Sequence, residues 1–165
     1  MRSIATLVLV ALAVYGVDQL SKFLIVANLS EGEQVTVLGP VLQFHFVKNS
    51  GAAFSLASGS TWIFSIVAAG VTVFILWYAR RIRSVSWAVL FGMLLGGTTG
   101  NLTDRLFREP SFGLGHVVDF IQVWGFPAIF NVADSFIVAS MGLFIILSLR
   151  GTRLDGRRAV RERKD

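Results

Sequence analysis

The sequence predicts an all-α membrane protein with four transmembrane helices and a small β-hairpin between two of them. The 165 residues are 54% hydrophobic and 15% charged, whereas soluble domains carry about 25% charged residues. Four apolar runs each approach the ~20 residues that a helix needs to cross about 30 Å of hydrocarbon. One connecting segment alternates apolar and polar residues around a Gly-Pro pair, which is typical of a β-hairpin.

The four predicted spans belong to a single domain, residues 1–165. Their approximate bounds are 4–29, 60–79, 85–102 and 126–149. Arg2 precedes the first apolar run as it would in a secretory signal, but no small-x-small cleavage site follows. We therefore expect a retained span rather than a cleaved signal peptide.

Basic residues flank the spans at three places. These are Arg2, the "ARRIRS" loop at 79–84 and the arginine-rich tail at 150–165. Four spans put all three on one side, which the positive-inside rule identifies as cytoplasmic. A basic tail is also typical of a nucleic-acid-binding arm, but a topology signal beside anionic lipid explains it without a nucleic-acid partner.

The first outer segment, 30–59, contains the predicted hairpin. Its two runs, 34–38 and 41–47, are joined by Gly39 and Pro40, and the second run reads "VLQFHFV". Strict alternation places its apolar side chains on one face of a strand. We expect an extracytoplasmic hairpin with one apolar face.

Several polar residues lie at the predicted outer ends of the spans. Asp18 and Lys22 are four residues apart and so share a helix face, where an ion pair would lower the cost of insertion. "NLTDR" ends the third span at 101–105 and "NVADS" opens the fourth at 131–135, each with the form Asn-x-x-Asp.

Helix capping is the simpler interpretation of these two motifs. It suits Asn131 and Asp134, because an acid is favoured near a helix N-terminus. At the end of the third span the dipole has the wrong sign for Asp104, and we expect Arg105 to compensate.

The outer stretch "GHVVDFIQVWG" places Asp119 among apolar residues. A four-helix bundle would bring it close to Asp134, and two poorly solvated carboxylates share one proton. That arrangement suits aspartic peptide hydrolysis. The chain has no cysteine and two histidines, which excludes thiol chemistry and offers little for a metal site, so we predict no cofactor. His116 is interpreted as a loop residue without a chemical role.

Other functions remain open from the residues alone. A serine–lysine peptidase would use Ser50 or Ser21 with Lys48 or Lys22. A proton- or ion-coupled small membrane carrier is the main alternative from another class, because membrane acids often mark transport paths. A structural helper without turnover is the third.

Five motifs in order give the chain a close resemblance to the lipoprotein signal peptidase (signal peptidase II) family. They read "DQLSK" (18–22), "NSGAAFS" (49–55), "GNLTDR" (100–105), "VVDF" (117–120) and "FNVADS" (130–135). The resemblance implies four transmembrane helices, a small periplasmic sheet and an outer helical loop closing over the site. Two stretches, "LFREPSFGLGHVV" (106–118) and "FPAIFN" (126–131), look longer than the family's commonest form.

The resemblance also implies an intramembrane aspartic endopeptidase. Family members remove the signal peptide from diacylglyceryl-modified prolipoproteins, and Asp119 and Asp134 match their catalytic dyad. The residues expected to support the dyad or bind substrate are Asp18, Lys22, Asn49, Gly51, Asn101, Asp104, Arg105 and Asn131. We expect a monomer in contact with membrane lipid, in the bacterial inner membrane, with both termini cytoplasmic and the site near the opposite face.

Overall fold

The computed structural model describes residues 2–51 and 61–155. The elements, in chain order, are α1 (Arg2–Asn28), β1 (Gln34–Leu38), β2 (Leu42–Asn49), α2 (Thr61–Tyr78), α3 (Val85–Phe107), β3 (Val117–Val123) and α4 (Val132–Leu149). A short 3-10 turn, Ala79–Arg81, follows α2. All four helices are long and apolar enough to cross a membrane. The predicted fold class is thereby confirmed.

Two helix boundaries differ from the prediction. α3 continues to Phe107 rather than ending near residue 102, and Asp104 and Arg105 in its last turn are buried in the bundle. α4 begins at Val132 rather than near residue 126. The preceding chain is extended there, since Phe130 exchanges backbone hydrogen bonds with Ile121 of β3.

Small residues let α3 pack closely against α1 and α4. A Cβ added to Gly96 would lie 2.6 Å from the carbonyl oxygen of Ala11 on α1. One added to Gly97 would lie 2.7 Å from the carbonyl oxygen of Ala133 on α4. Close backbone contact at small residues is a common way for helices to pack in lipid, where no hydrophobic effect drives them together.

The three strands form one antiparallel sheet in the order β1-β2-β3. The predicted hairpin is its first two strands, and the third comes from the stretch that contains Asp119. Residues 108–116 form bends and turns. The expected outer helical loop is not found in the described outer segments, and residues 52–60, with most of the "NSGAAFS" motif, lie outside them.

The two ends of the bundle differ in character. At one end, which we call the basic end, Ser3 donates to the carbonyl oxygen of Arg83, and the backbone nitrogen of Arg83 donates to Leu154 (3.0 Å). The three basic segments therefore meet there, although tail residues 156–165 lie outside the described part of the chain. The sheet lies at the other end, which we call the sheet end.

Candidate active site

The polar residues selected from the sequence converge at the sheet end. Asp119 lies on β3, while Asn101 and Asn49 lie near the ends of α3 and β2. Asn131 and Asp134 form the entrance of α4. Residues from four separate segments thus meet at one place, with Asp119 and Asn131 almost fully buried.

Asn131 caps α4 and also binds both candidate catalytic acids. Its Oδ1 accepts from the backbone nitrogen of Asp134 (2.9 Å), and its own backbone nitrogen donates to Asp134 Oδ2 (3.2 Å). This reciprocal pair is a capping box, so the capping interpretation is correct for the local structure. The Asn131 Nδ2 group donates to Asp119 Oδ1 (2.6 Å) and to Asn101 Oδ1 (3.1 Å).

Amide groups hold the Asp119 carboxylate. Asn49 Nδ2 donates to Asp119 Oδ2 (2.7 Å), opposite the bond from Asn131. The Asp119 residue is 2% exposed. Burial raises its pKa to about 6, and the nearby charge of Asp134 adds to the rise, while the two amide bonds oppose it.

Asp134 is held in a similar way, because Asn101 Nδ2 donates to its Oδ1 (2.8 Å). Within residues 2–51 and 61–155, neither Asp119 nor Asp134 forms an ion pair with a lysine or arginine. Each carboxylate oxygen therefore has an amide donor but no direct counter-charge.

A pair of fully buried acids surrounds Lys22. The Lys22 ammonium contacts Asp18 Oδ2 (2.9 Å) and Asp104 Oδ2 (2.8 Å), and it donates to Asn101 Oδ1 (2.9 Å). All three charged side chains have no exposed surface. An ammonium group has three donors, and each has a partner here. Lys22 also fixes the orientation of the Asn101 amide that binds Asp134.

Asp104 has a second cation, which is Arg108. Arg108 Nε contacts Asp104 Oδ1 (2.7 Å), and the backbone nitrogen of Val118 donates to Asp104 Oδ2 (3.2 Å). Arg105 compensates Asp104 only through its nearby charge, because the ion-pair partners of Asp104 are Lys22 and Arg108. The spacing explains the choice, since residues four apart share a helix face and adjacent residues do not.

Asp18 connects the ion pairs around Lys22 to the start of α4. Its Oδ1 accepts from the backbone nitrogen of Ala133 (2.9 Å). A Cβ added to Gly100 would collide with Asp18 Oδ2. Gln19, which the sequence analysis did not select, donates to the same oxygen of Asp18 (3.1 Å).

Arg105 lies beside Gly51 with one nitrogen free. Its Nη1 atom is buried and has no hydrogen-bond partner among the described residues, and the guanidinium lies 5.3 Å from the ring centroid of Phe64. Gly51 has a φ of 97°, and an added Cβ would lie 2.6 Å from that ring. The Gly51 backbone nitrogen donates to Asn49 Oδ1 (2.8 Å), which turns the Asn49 amide toward Asp119.

Sequence reasoning did not select Arg108, Gln19 or Phe64. Arg108 carried a usable signal, because it lies four residues after Asp104 on the same helix. Phe64 carried none, since its contact with Arg105 depends on how α2 packs.

The chain matches a protein-family model described as signal peptidase (SPase) II over residues 10–150. It is 65% identical over 156 residues to a lipoprotein signal peptidase of Leifsonia xyli subsp. xyli, covering 94% of this chain and 72% of that protein. A lipoprotein signal peptidase of Rhodococcus jostii is 45% identical, with 92% and 76% covered. A solved bacterial membrane enzyme superimposes with a TM-score of 0.78 at 28% identity, covering 95% of each chain.

Proposed function

Because the chain belongs to the signal peptidase II family, and is thus a multi-pass bacterial membrane peptidase, we propose that it cleaves prolipoproteins with an aspartic dyad. The substrate is a diacylglyceryl-modified bacterial prolipoprotein, cut immediately before the lipidated cysteine. Asp119 and Asp134 are the catalytic residues. The remaining polar residues of the sheet end position the dyad or the substrate.

One observation carries this proposal: Asn131 binds both acids. Its side-chain amide donates to Asp119 and its backbone amide donates to Asp134. A single buried residue therefore fixes one carboxylate relative to the other. Preorganised amide donors of this kind cost no reorganisation when charge develops during a reaction.

The electrostatics favour a shared proton. Asp119 is buried, its pKa is raised to about 6, and the charge of Asp134 contributes to the rise. The partners of both carboxylates are neutral amides, so nothing in direct contact supports two negative charges together. One acid is then protonated while the other is ionised, as the proposed reaction requires.

The reaction follows from these two protonation states. The ionised carboxylate takes a proton from water as the water oxygen attacks the scissile carbonyl carbon. The protonated carboxyl gives its proton to the carbonyl oxygen, which yields a neutral gem-diol. Collapse of the gem-diol breaks the C–N bond as the protonated carboxyl gives its proton to the leaving nitrogen. One gem-diol hydroxyl gives its proton to the other carboxylate, so the dyad again holds a single proton.

Arg105 and Gly51 form the proposed substrate side of the site. The buried Nη1 atom of Arg105 has no hydrogen-bond partner within residues 2–51 and 61–155, and it is a donor suited to a peptide carbonyl oxygen. The position beside it requires glycine, because any side chain on Gly51 would collide with Phe64.

The proposed orientation puts the basic end in the cytoplasm and the sheet end outside, as the positive-inside rule requires. We propose a single domain over residues 1–165, acting as a monomer in the inner membrane.

The contacts around the candidate lysines weigh against the serine–lysine alternative. Lys22 already contacts two carboxylates and Asn101, and the Ser21 hydroxyl donates to the carbonyl oxygen of Asp18 rather than to a lysine. Lys48 lies 3.4 Å from Glu31 and 3.5 Å from Glu109. The chain belongs to a peptidase family, which argues against a membrane carrier and against a structural helper without turnover.

The direct test is cleavage of a defined lipidated prolipoprotein peptide by the purified protein in detergent. Asp119→Asn and Asp134→Asn should each abolish cleavage while the protein still inserts and folds. Glu31→Gln, which removes an exposed acid, and Ser50→Ala should keep near-normal rates. Full activity in either dyad variant would remove that residue from the mechanism, and loss in Ser50→Ala alone would favour a serine nucleophile.

A further inference from the structure

A cavity of about 360 Å³ lies at the sheet end, on the side of β3 away from the dyad. Val118 lines it, and Val118 precedes Asp119 on β3, so the two side chains point to opposite faces of the sheet. Lys48, directly opposite Val118 in the sheet, lines the cavity as well. The volume falls within the ~300–1,000 Å³ of ordinary ligand sites.

The cavity has donor groups that can bind an anion. Arg108 lines it and uses Nε for Asp104. Among the described residues that is the only hydrogen bond of its side chain, so the two terminal nitrogens of the guanidinium are available. His116 also lines the cavity, and its ring has no hydrogen-bond partner in the described ranges.

The ion pairs of Lys48 at the rim of the cavity are weak enough for a ligand to replace them. Lys48 pairs with Glu31 and Glu109 at 3.4 and 3.5 Å, and these glutamate side chains are 55% and 85% exposed. Exposed pairs of this kind contribute little to stability. An anionic ligand can therefore replace Glu109 beside Lys48 at little cost.

The walls next to these cations are apolar and lie where the spans end. Val26 comes from the last turn of α1, and Phe107 is the last residue of α3. Phe107 and Phe112 are about three-quarters exposed, and their rings meet edge to face at 6.2 Å. Exposed aromatic residues at span ends are typical of the membrane interface.

The loop that closes the cavity is held in place. The backbone nitrogen of His116 donates to Glu109 (2.9 Å), and that of Gly115 donates to Arg105 (2.9 Å). Ser65 of α2 donates its hydroxyl to the carbonyl oxygen of Gly113 (2.7 Å). The cavity is therefore preformed rather than created by its ligand.

We propose that this cavity binds the headgroup of an anionic phospholipid. The phosphate would lie against Arg108, His116 and Lys48, and the glycerol and first methylenes would lie against Val26 and Phe107. A soluble anion would use the cations but not the apolar wall, which is why the geometry favours a lipid. This assignment does not depend on the peptidase reaction, because the cavity and the dyad lie on opposite faces of β3.

The absence of cysteine from the chain permits a site-specific test. Ser111→Cys, at an exposed loop position, carries a single fluorophore on the full-length protein in detergent. Short-chain phosphatidylglycerol, short-chain phosphatidylcholine and inorganic phosphate are titrated in parallel. We expect saturable binding of phosphatidylglycerol at concentrations where the other two give no response.

Charge variants link the binding to this cavity. Arg108→Gln should weaken phosphatidylglycerol binding about fivefold to tenfold. Glu109→Gln should strengthen it about twofold, and this gain does not depend on a destabilised protein. Arg80→Gln, at the basic end, is the matched control and should leave the signal unchanged.

Three results would overturn the proposal. Equal binding of phosphatidylcholine would remove the role of the negative headgroup. Binding of inorganic phosphate as strong as that of the lipid would make the cavity a site for soluble anions. An unchanged affinity in both Arg108→Gln and Glu109→Gln would place the bound lipid elsewhere.

Discussion

The sheet end contains two pairs of acids that differ in their partners; Asp18, Asp104 and Asp119 are buried, and Asp134 is partly buried. Asp18 and Asp104 share the ammonium group of Lys22 at 2.9 and 2.8 Å. Asp119 and Asp134 share Asn131, which offers amide groups without charge. The two pairs are linked, because Asn101 accepts from Lys22 and donates to Asp134.

The two pairs therefore differ in counter-charge. Asp18 and Asp104 contact a cation, whereas Asp119 and Asp134 have only neutral amide donors among the described residues. Burial and the nearby charge of Asp134 raise the pKa of Asp119 to about 6, although its amide bonds oppose the rise. The proposed chemistry therefore belongs to the second pair. The first pair anchors α1, α3 and the entrance of α4 around it.

The largest expected effect comes from exchanging acid for amide in each pair. Asp119→Asn or Asp134→Asn should lower kcat/KM by at least about 10⁴-fold, or about 5 kcal/mol of transition-state stabilisation. Asp18→Asn should keep measurable turnover in its folded fraction, because it removes support and not a reacting group. Single-turnover cleavage of a lipidated peptide, normalised to folded protein, measures both. Equal losses of kcat/KM in Asp18→Asn and in the dyad variants would show that the two pairs do not differ in function.

Removal of the shared cation is expected to have the next largest effect. Lys22→Met leaves Asp18 and Asp104 buried without their shared ammonium and should destabilise the fold by about 3–5 kcal/mol. Lys48→Met, at a half-exposed lysine with weak pairs, should cost less than about 1 kcal/mol. Unfolding in mixed detergent gives both values.

A triple variant separates charge from packing at this site. Adding Asp18→Asn and Asp104→Asn to Lys22→Met removes the unpaired charges and should recover much of the lost stability. No recovery would assign the loss to packing of the lysine stem instead.

The pH dependence of stability should differ between the wild type and Asp119→Asn. Because the folded pKa of Asp119 is about 6, above the ordinary 3.8, the folded state binds its proton more tightly. The protonated Asp119 carboxyl therefore stabilises the folded state at low pH. The free energy of unfolding decreases by about 3 kcal/mol in total as pH rises from about 4 to 6. Asp119→Asn should lack this decrease and should be the more stable protein at pH 7. If the free energies of unfolding of the two proteins changed equally with pH across that range, the result would contradict the raised pKa of Asp119.

The smallest expected effect tests how closely the two pairs are packed together. Gly100→Ala would push a methyl group into Asp18 and should cost about 1–3 kcal/mol. Gly142→Ala, where an added Cβ meets nothing within 4 Å, should be neutral or stabilising by up to about 1 kcal/mol. Thermal unfolding of the two variants side by side is sufficient. Equal melting temperatures would show that α3 has room to move away from Asp18.

The local features of the fold were predictable because their signals are local. Apolar runs of the right length predicted four helices, and alternation predicted the β1–β2 hairpin. β3 was missed as a strand, since "VVDFIQV" is an apolar stretch whose pairing with β2 spans about seventy residues of chain. The Asp18–Lys22 pair was predictable from a spacing of four residues.

By itself, the sequence determined the family, through the order of its motifs, and it indicated the candidate residues for the proposed chemistry, which are acids and amides at the ends of apolar runs. Only the tertiary structure decided which acid meets which partner, with Asp104 joining Lys22 and Asn131 joining the dyad. Spacing along one helix specifies a shared face, because the helix repeats every few residues. A contact between segments far apart in the chain depends on how closely helices pack, which small residues such as Gly97 on α3 permit.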